Sequence, residues 1–373
     1  MKMLQLEECC EILDSMRVPI TAKDRKKGPY PYYGANGVQD YVADYIFDDD
    51  LVLLAEDGGN FGSDKRPIAY KVSGKCWVNN HAHVLKPKAG MNVDYLCYSL
   101  MFYKVDGMVN GATRMKLTQA AMRRMLIPSR TIEGQKAVVR LLNRIQMLIK
   151  VEKEQLKKYD ELIKSRFVEM FGDPVTNPLN WEEHCLDEYV EFLTSGSRGW
   201  TQYFVDEENE LFITIKNVKN NHISLNKIQY INAPDSKEAE RTKVKKGDLL
   251  ISITADLGRT GVVDEEIADK GAYINQHLSL VRLDKKKVNP LYISHFLETE
   301  GGKRQFKSKN QNSVKAGLNF DAIKSLKILV PPLEWQNEYL NFVHQIDKLR
   351  FVTQKSLAET QQLFDSLMQK YFG

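Results

Sequence analysis

The sequence has no long hydrophobic run and no paired cysteines, and each absence narrows what it can be. Nothing in it approaches the roughly 18 consecutive apolar residues of a membrane-spanning helix. The opening MKMLQLEECCEILDS meets acidic residues at once and lacks an apolar signal core, which predicts a cytoplasmic protein with no membrane partner. Cysteine is scarce: Cys9, Cys10, Cys76, Cys97 and Cys185 make an odd set of 5 without a C-x-x-C spacing. That argues against a disulfide framework and a cysteine-type zinc site, and fits reduced thiols. Neither sign of charge dominates. Lys and Arg number 53 and Asp and Glu 49, so the net charge of +4 permits a nucleic-acid partner without demanding one. With 43% hydrophobic and 27% charged residues, the chain is not largely disordered. Its 373 residues suffice for two to three domains.

What the sequence does have is an internal repeat. Residues 133–172 (EGQKAVVRLLNRIQMLIKVEKEQLKKYDELIKSRFVEMFG) align without gaps on residues 334–373 (EWQNEYLNFVHQIDKLRFVTQKSLAETQQLFDSLMQKYFG). Glu133 and Gln135 match Glu334 and Gln336. Ile145, Leu148, Val151, Leu156 and Leu162 match Ile346, Leu349, Val352, Leu357 and Leu363, and Phe171-Gly172 matches Phe372-Gly373. Upstream, the run Asp50–Leu54 resembles Asp248–Ser252, and Asn79-Asn80-His81 resembles Asn275-Gln276-His277. Asn92–Leu96 resembles Asn289–Ile293, and Ile127-Pro128 resembles Val330-Pro331. The chain is therefore two tandem copies of one unit, each a mixed region followed by a long helix.

The mixed regions read as α+β. Leu51–Ala55, Trp77–Leu85, Asp248–Ile253 and Tyr273–Leu283 have strand composition, punctuated by Gly58, Gly59, Gly74, Gly258 and Gly261. Asn92 and Asn289 stand where helix N-caps belong, with Pro290 at a first helical position. A twisted, mostly antiparallel sheet with a few helices is expected in each copy. In the first long segment Leu142, Ile145, Ile149, Leu156, Tyr159, Ile163 and Met170 follow a 3-4 spacing. In the second, Val343, Ile346, Leu357, Phe364, Leu367 and Tyr371 do the same. Such narrow stripes suit a coiled-coil seam between the two helices better than a broad globular face. Gly172-Asp173-Pro174 ends the first helix and Trp181 opens the second mixed region. The expected boundaries are 1–130 and 173–332 for the mixed domains, with helical spacers at 131–172 and 333–373.

This layout resembles the specificity subunit of type I restriction-modification systems. The resemblance rests on the two-copy plan and on VPPLEWQ at 330–336 leading into a terminal helix, with IPSRTIEGQ at 127–135 as its first-copy form. YPYYGANGVQDY at 30–41, LLAEDGGNFG at 53–62 and WVNNHAHVLKP at 77–87 look like the family's target-recognition domain. The resemblance implies two target-recognition domains, each reading one half of a bipartite double-stranded DNA target. It implies two long helices that pair as an antiparallel coiled coil and hold the domains apart. It also implies modification subunits, which methylate adenine, and restriction subunits, which translocate and cleave, as partners.

Catalytic motifs are missing or explained otherwise. Asn289-Pro290-Leu291-Tyr292 comes close to the Asn/Asp-Pro-Pro-aromatic loop of amino-methyltransferases. Its first-copy counterpart, Asn92-Val93-Asp94-Tyr95, lacks the prolines, and an N-capped helix start accounts for both. Gly58-Gly59-Asn60-Phe61-Gly62 is not followed by Gly-Lys-Ser/Thr and so is not a P-loop. His81 and His83, two apart on an expected strand, would face the same side without enough neighbouring ligands for a metal. No catalytic residue, cofactor or metal is expected.

DNA binding needs cations for phosphates, and amides or guanidiniums for base edges. In the first copy the candidates are Lys23, Arg25, Lys26 and Lys27 before Tyr30, Tyr32 and Tyr33. Asn60, Lys65 and Arg66 follow the glycine pair, and Asn110, Thr113, Arg114 and Lys116 form a polar, basic stretch. Its second-copy counterpart holds Lys309, Asn310, Gln311, Asn312, Ser313 and Lys315. Ser197, Arg198, Lys216 and Asn217 complete the second-copy set.

Overall fold

The structure, a computed structural model, describes residues 2–111, 115–254, 256–311 and 317–373. Its contacts divide the chain into two compact units: Met1–Glu154 with Thr353–Gly373, and Gln155–Val352. The division cuts each long helix near its middle, so each unit holds parts of both.

The two units are built alike. In the first, Cys10–Ile12, Ala82–Pro87, Leu51–Ala55 and Ala69–Val72 form an antiparallel sheet in that order. A second sheet runs Gly37–Val42, Lys27–Gly34, Lys75–Val78, Phe47–Asp48, with one parallel contact between Lys27–Gly34 and Lys75–Val78. The second unit repeats the antiparallel sheet as Val190–Ser195, Leu278–Leu283, Leu249–Ser252, Thr260–Val262. Its other sheet runs Phe204–Val205, Gln229–Ile231, Glu210–Ile213, Ala272–Ile274, again with one parallel pair, Glu210–Ile213 on Ala272–Ile274. The α+β, mostly antiparallel fold expected from the sequence is the fold observed.

Two sequence readings need correction. Trp77–Leu85 and Tyr273–Leu283 are not single strands, because each breaks at its Asn-x-His triplet and passes from one sheet to the other. The Asn79 side chain accepts the His81 amide (2.8 Å), and Asn275 accepts the His277 amide (3.2 Å). These local bonds bend the chain out of the strand. His81 therefore lies in the turn and only His83 on a strand, so the two do not share a strand face. The strand register also pairs Val52 with Leu85 and Leu249 with Val281, so Val52, not Leu51, is the counterpart of Leu249.

The central strand Leu51–Ala55 has five fully buried residues because it feeds two cores. Leu51 and Leu53 pack with Val78 and Val84 between the sheets. Val52 and Leu54 pack with Tyr95, Leu96 and the long-helix residues Leu142, Ile145 and Ile149. A strand buried on both faces reads as a continuous apolar run instead of an alternation.

Each long helix, Ile132–Phe171 and Leu333–Phe372, is 40 residues long, about 60 Å at about 1.5 Å per residue. Both are fastened to their domains by the same glutamine. Gln135 is buried; its Oε1 accepts the Asn92 amide (2.8 Å) and its Nε2 donates to the Gly90 and Arg130 carbonyls (both 3.0 Å). Gln336, fully buried, accepts the Asn289 amide (2.9 Å) and donates to the Pro331 carbonyl (2.7 Å). Asn92 and Asn289 cap the short helices Val93–Met101 and Pro290–Glu298, accepting the Tyr95 and Leu291 amides. Tyr95 and Tyr292 then donate to the Pro128 and Leu329 carbonyls at 3.0 and 2.9 Å. At the far end of the first helix, Gly172 adopts a left-handed φ of 76°, and a Cβ there would lie 2.7 Å from Pro178.

Within each unit the helices pair antiparallel. In the first, Phe364 and Met368 join Leu142, Ile145 and Ile149 in one core, and Ser356 donates to Glu152 at 2.5 Å. In the second, Ile163 and Phe167 pack with Tyr339, Val343 and Ile346. Arg350 reaches Asp160 at 2.7 Å, and Arg166 reaches Glu338 at 3.2 Å. The stripe thus serves both as a helix seam and as a cover for the sheet domain.

His295 occupies the place that Tyr98 holds in the first unit. Its Nδ1 accepts the Tyr339 hydroxyl (3.1 Å) and the Asn221 amide (3.3 Å), whose orientation is fixed because Asn221 Oδ1 accepts Ser294 (2.9 Å). The hydrogen therefore sits on Nε2, a buried atom without a partner among the described residues. Burial pushes the His295 pKa from 6.5 down to about 3, with His222, Arg350 and His344 adding repulsion.

These buried groups set two expectations for stability. Replacing Gln336 with Leu strands the Asn289 amide and the Pro331 carbonyl, and should lower unfolding free energy in urea by about 2–4 kcal/mol. His295 makes the fold acid-sensitive. The unfolded imidazole takes up a proton near 6.5 and the folded one only near 3, so stability is lost as pH falls through that window. Between pH 6.5 and 5 the loss should be about 2 kcal/mol. His295→Tyr should abolish this loss, so the stability difference between wild type and variant in urea unfolding should change by that amount across the same pH range.

Candidate nucleic-acid interface

The loops expected to carry the basic stretches converge in each unit through the same backbone bonds. In the first, Glu56 donates to the His81 carbonyl (2.9 Å), Leu117 to the Glu56 carbonyl (2.7 Å) and Gly58 to Met115 (3.4 Å). In the second, Ile253 donates to His277 (3.0 Å) and Leu318 to Ile253 (2.9 Å). Leu117 and Leu318 thus hold matching positions. Thr113, Arg114, Asn312, Ser313 and Lys315 themselves lie outside the described residues, and Gln311 is described only by its main chain at the end of the helix Glu300–Gln311.

Of the remaining candidates, Lys23, Lys26, Lys27, Lys65, Arg66, Lys116, Arg198 and Lys216 are exposed. The others have work within the fold. Tyr32 is buried, its hydroxyl against the Ile20 backbone, with the Arg25 guanidinium 4.3 Å from its ring centre. Arg25 also bonds Asp40 (3.3 Å) and the Ile20 carbonyl (3.2 Å). Ser197 is buried against Thr242 (3.2 Å). Asn217 is buried and organises a turn, accepting from Thr214 and donating to the Ser224 carbonyl. Asn60 donates to Pro67 (3.4 Å), and Asn310 accepts the Gly317 amide (3.1 Å). In sequence Asn217 and Ser197 resemble base readers because amides and hydroxyls serve turns as readily as bases.

No sequence pattern marks the partly buried charged cluster beside Lys116 in the first unit. Asp14, Glu56 and His83 offer one possible metal-ligand atom each, all within 4.8 Å. Protein groups already occupy them. Arg17 lies 2.6 Å from Glu56 and donates to the Ala82 carbonyl (2.7 Å), and Lys116 reaches Glu56 at 3.0 Å. His83 Nδ1 faces Asp14 (2.6 Å) and its Nε2 faces the Leu117 carbonyl (2.9 Å). Asp14 also accepts from the Val84 amide and from Gln119. Burial pushes the Asp14 carboxyl up, but the His83 hydrogen bond and charge, with Val84 and Gln119, hold it below the usual range. Glu56 is likewise raised by burial and held low by Arg17 and Lys116. These residues are far apart in sequence, so only the fold brings them together.

Asn289 is engaged in capping its helix. Its amide N–H goes to Gln336, its Oδ1 accepts Leu291, and its Nδ2 donates to Asn337 (3.0 Å). Tyr292 beside it is fully buried. No helix among the described residues is long and apolar enough to cross a membrane.

The type I restriction modification DNA specificity domain family matches this chain at residues 1–159 and again at 178–361. The chain is similar to a type I restriction enzyme specificity subunit of Haemophilus influenzae, 26% identical over 355 residues, which cover 92% of this chain and 87% of that one. It is similar to the type I restriction enzyme EcoKI specificity subunit of Escherichia coli, 22% identical over 324 residues, 80% of this chain and 68% of the relative. Among solved structures, its fold is like that of the S subunit of a type I restriction-modification system from M. genitalium. There the TM-score is 0.64 at 11% identity, over 100% of this chain and 96% of the other. Matched in both of its repeats, the chain belongs to the type I restriction-modification DNA specificity family.

Proposed function

We propose that each unit reads one half of a bipartite DNA target, and that the chain does so without catalysis of its own. The observation that carries this reading is the family match to both copies. Two further features support it. The residues of the methyltransferase-like Asn289 run are consumed by helix capping and by the core, as are Asn92 and Tyr95 in the other copy. The exposed cations include Lys65, Arg66 and Lys116 around the converging loops of the first unit, and Arg198 beside the Gln276 turn in the second. Lys23, Lys26, Lys27 and Lys216 extend this set. Cations in this role neutralise phosphates.

Modification subunits, with restriction subunits beyond them, are the partners this reading implies, in the cytoplasm where the DNA is. The long helices offer a surface for docking. Leu148, Val151 and Leu162 are exposed, and so are their matches Leu349, Val352 and Leu363, with Met147 and Phe351 more exposed still. Exposed apolar side chains of this kind call for a cover, which a modification subunit would supply. The helices, unbroken through both units, are the parts that would set the gap between half-sites.

The test is salt-dependent DNA binding by the complex assembled with its modification subunits. Changing Lys65 and Arg66 to Ala should reduce the slope of log affinity against log salt by about 0.9 for each phosphate no longer neutralised. The footprint over one half-site should weaken while the other persists. An unchanged slope and footprint would remove this loop from the interface. Failure of the unaltered complex to prefer any sequence would overturn the functional reading itself.

A further inference from the structure

The two copies make an internal comparison, because their central strands pair in matching register. His83 stands opposite Leu54, and Ser279 stands opposite Ile251. Glu56 and Ile253 both donate their amides to the histidine of the Asn-x-His turn. Asp14 faces His83 as Ser195 faces Ser279. Where the first unit gathers Asp14, Glu56 and the buried His83, the second therefore has Ser195, Ile253 and Ser279. The shared scaffold does not need these charges. Burying charges is also a poor route to stability, since removing them from water offsets their attraction. The first unit keeps them for what they hold.

What they hold is the end of the basic stretch. His83 is 1% exposed at its side chain and is the only described link of this cluster that spans from Asp14, on the segment after Cys10–Ile12, to the Leu117 carbonyl. Both of its ring nitrogens face acceptor oxygens. Lys116, next to Leu117, is drawn to Glu56, which Arg17 fixes against the Ala82 carbonyl. Gln119, just beyond, returns to Asp14 at 3.0 Å. Three anchors at 116, 117 and 119 thus converge on one partly buried cluster.

We propose that His83, with Asp14, is a positioning residue for target recognition by the first unit: it braces Leu117 and so fixes the neighbouring Lys116. This rests on the reading that the first unit contacts DNA. The brace acts through the loop and touches no base. It makes recognition by one half-site depend on a cluster that the other unit lacks.

The test uses the complex with its modification subunits and three DNA duplexes: the full target, and the target with either half-site scrambled. His83→Phe should weaken binding to the full target by about tenfold, the size of a lost base-pair preference. It should also abolish the penalty for scrambling one half-site while leaving the penalty for the other. The double variant D14N/H83Q rebuilds the brace without charge, because Gln donates to Leu117 and accepts from Asn. It should restore discrimination at both half-sites. Folded H83F that still discriminates both half-sites would overturn the proposal, as would folded D14N/H83Q that is blind to one. If the unaltered complex ignores scrambling of either half-site, the DNA reading fails, and that outcome is separate from failure of the brace.

Discussion

A buried glutamine at the head of each long helix holds the rest of the architecture in place. Gln135 and Gln336 each satisfy main-chain groups that would otherwise be stranded: the amide of a helix N-cap residue, and carbonyls of the chain entering the long helix. A buried peptide group without a partner costs about 1–3 kcal/mol, so these bonds decide where the helix meets its domain. Tyr95 and Tyr292 add the same restraint from the short helix to the preceding strand. Once the joint is fixed, the apolar stripe of each long helix has one face for the sheet domain and one for the antiparallel partner. The remaining apolar positions, Leu148, Val151, Leu162 and their matches, are left outside.

The repeat gives a means of separating scaffold from speciality. Residues that recur at matched positions are structural: the glutamines, the cap asparagines, the buried tyrosines and the Asn-x-His turns that send the chain from one sheet to the other. Residues that do not recur mark what each unit does for itself. Among the described residues, the Asp14–Glu56–His83 cluster belongs only to the first unit. His295, with Asn221 against it, belongs only to the second, where the first has Tyr98 bonded to Asn143 and Gln146. A chain that must read two different half-sites on one frame has reason to differ at such places.

Much of this frame is legible in the sequence. Gln135 with Gln336, and Asn92 with Asn289, are visible as repeated residues, because the physics of a helix start fixes both identity and spacing. Pairing of the helices follows from their narrow stripes. The strands at Trp77–Leu85 and Tyr273–Leu283 read as continuous because apolar composition does not reveal a change of sheet. Only the Asn side chain bending back to the His amide does that. The interface is least legible. Lys65 and Arg66 are exposed, as expected of phosphate-binding groups, but Tyr32, Ser197 and Asn217 are consumed by the fold. Polar side chains look the same in sequence whether they hold a turn or face solvent. Asp14, Glu56 and His83 carry no local pattern at all.

The central claim is that two copies of one recognition unit act on one DNA molecule. Its most direct test is selection of preferred targets from a random-sequence library by the chain assembled with its modification subunits. The account predicts two short specified blocks separated by a gap of constant length and unspecified sequence. A single uninterrupted block would contradict it.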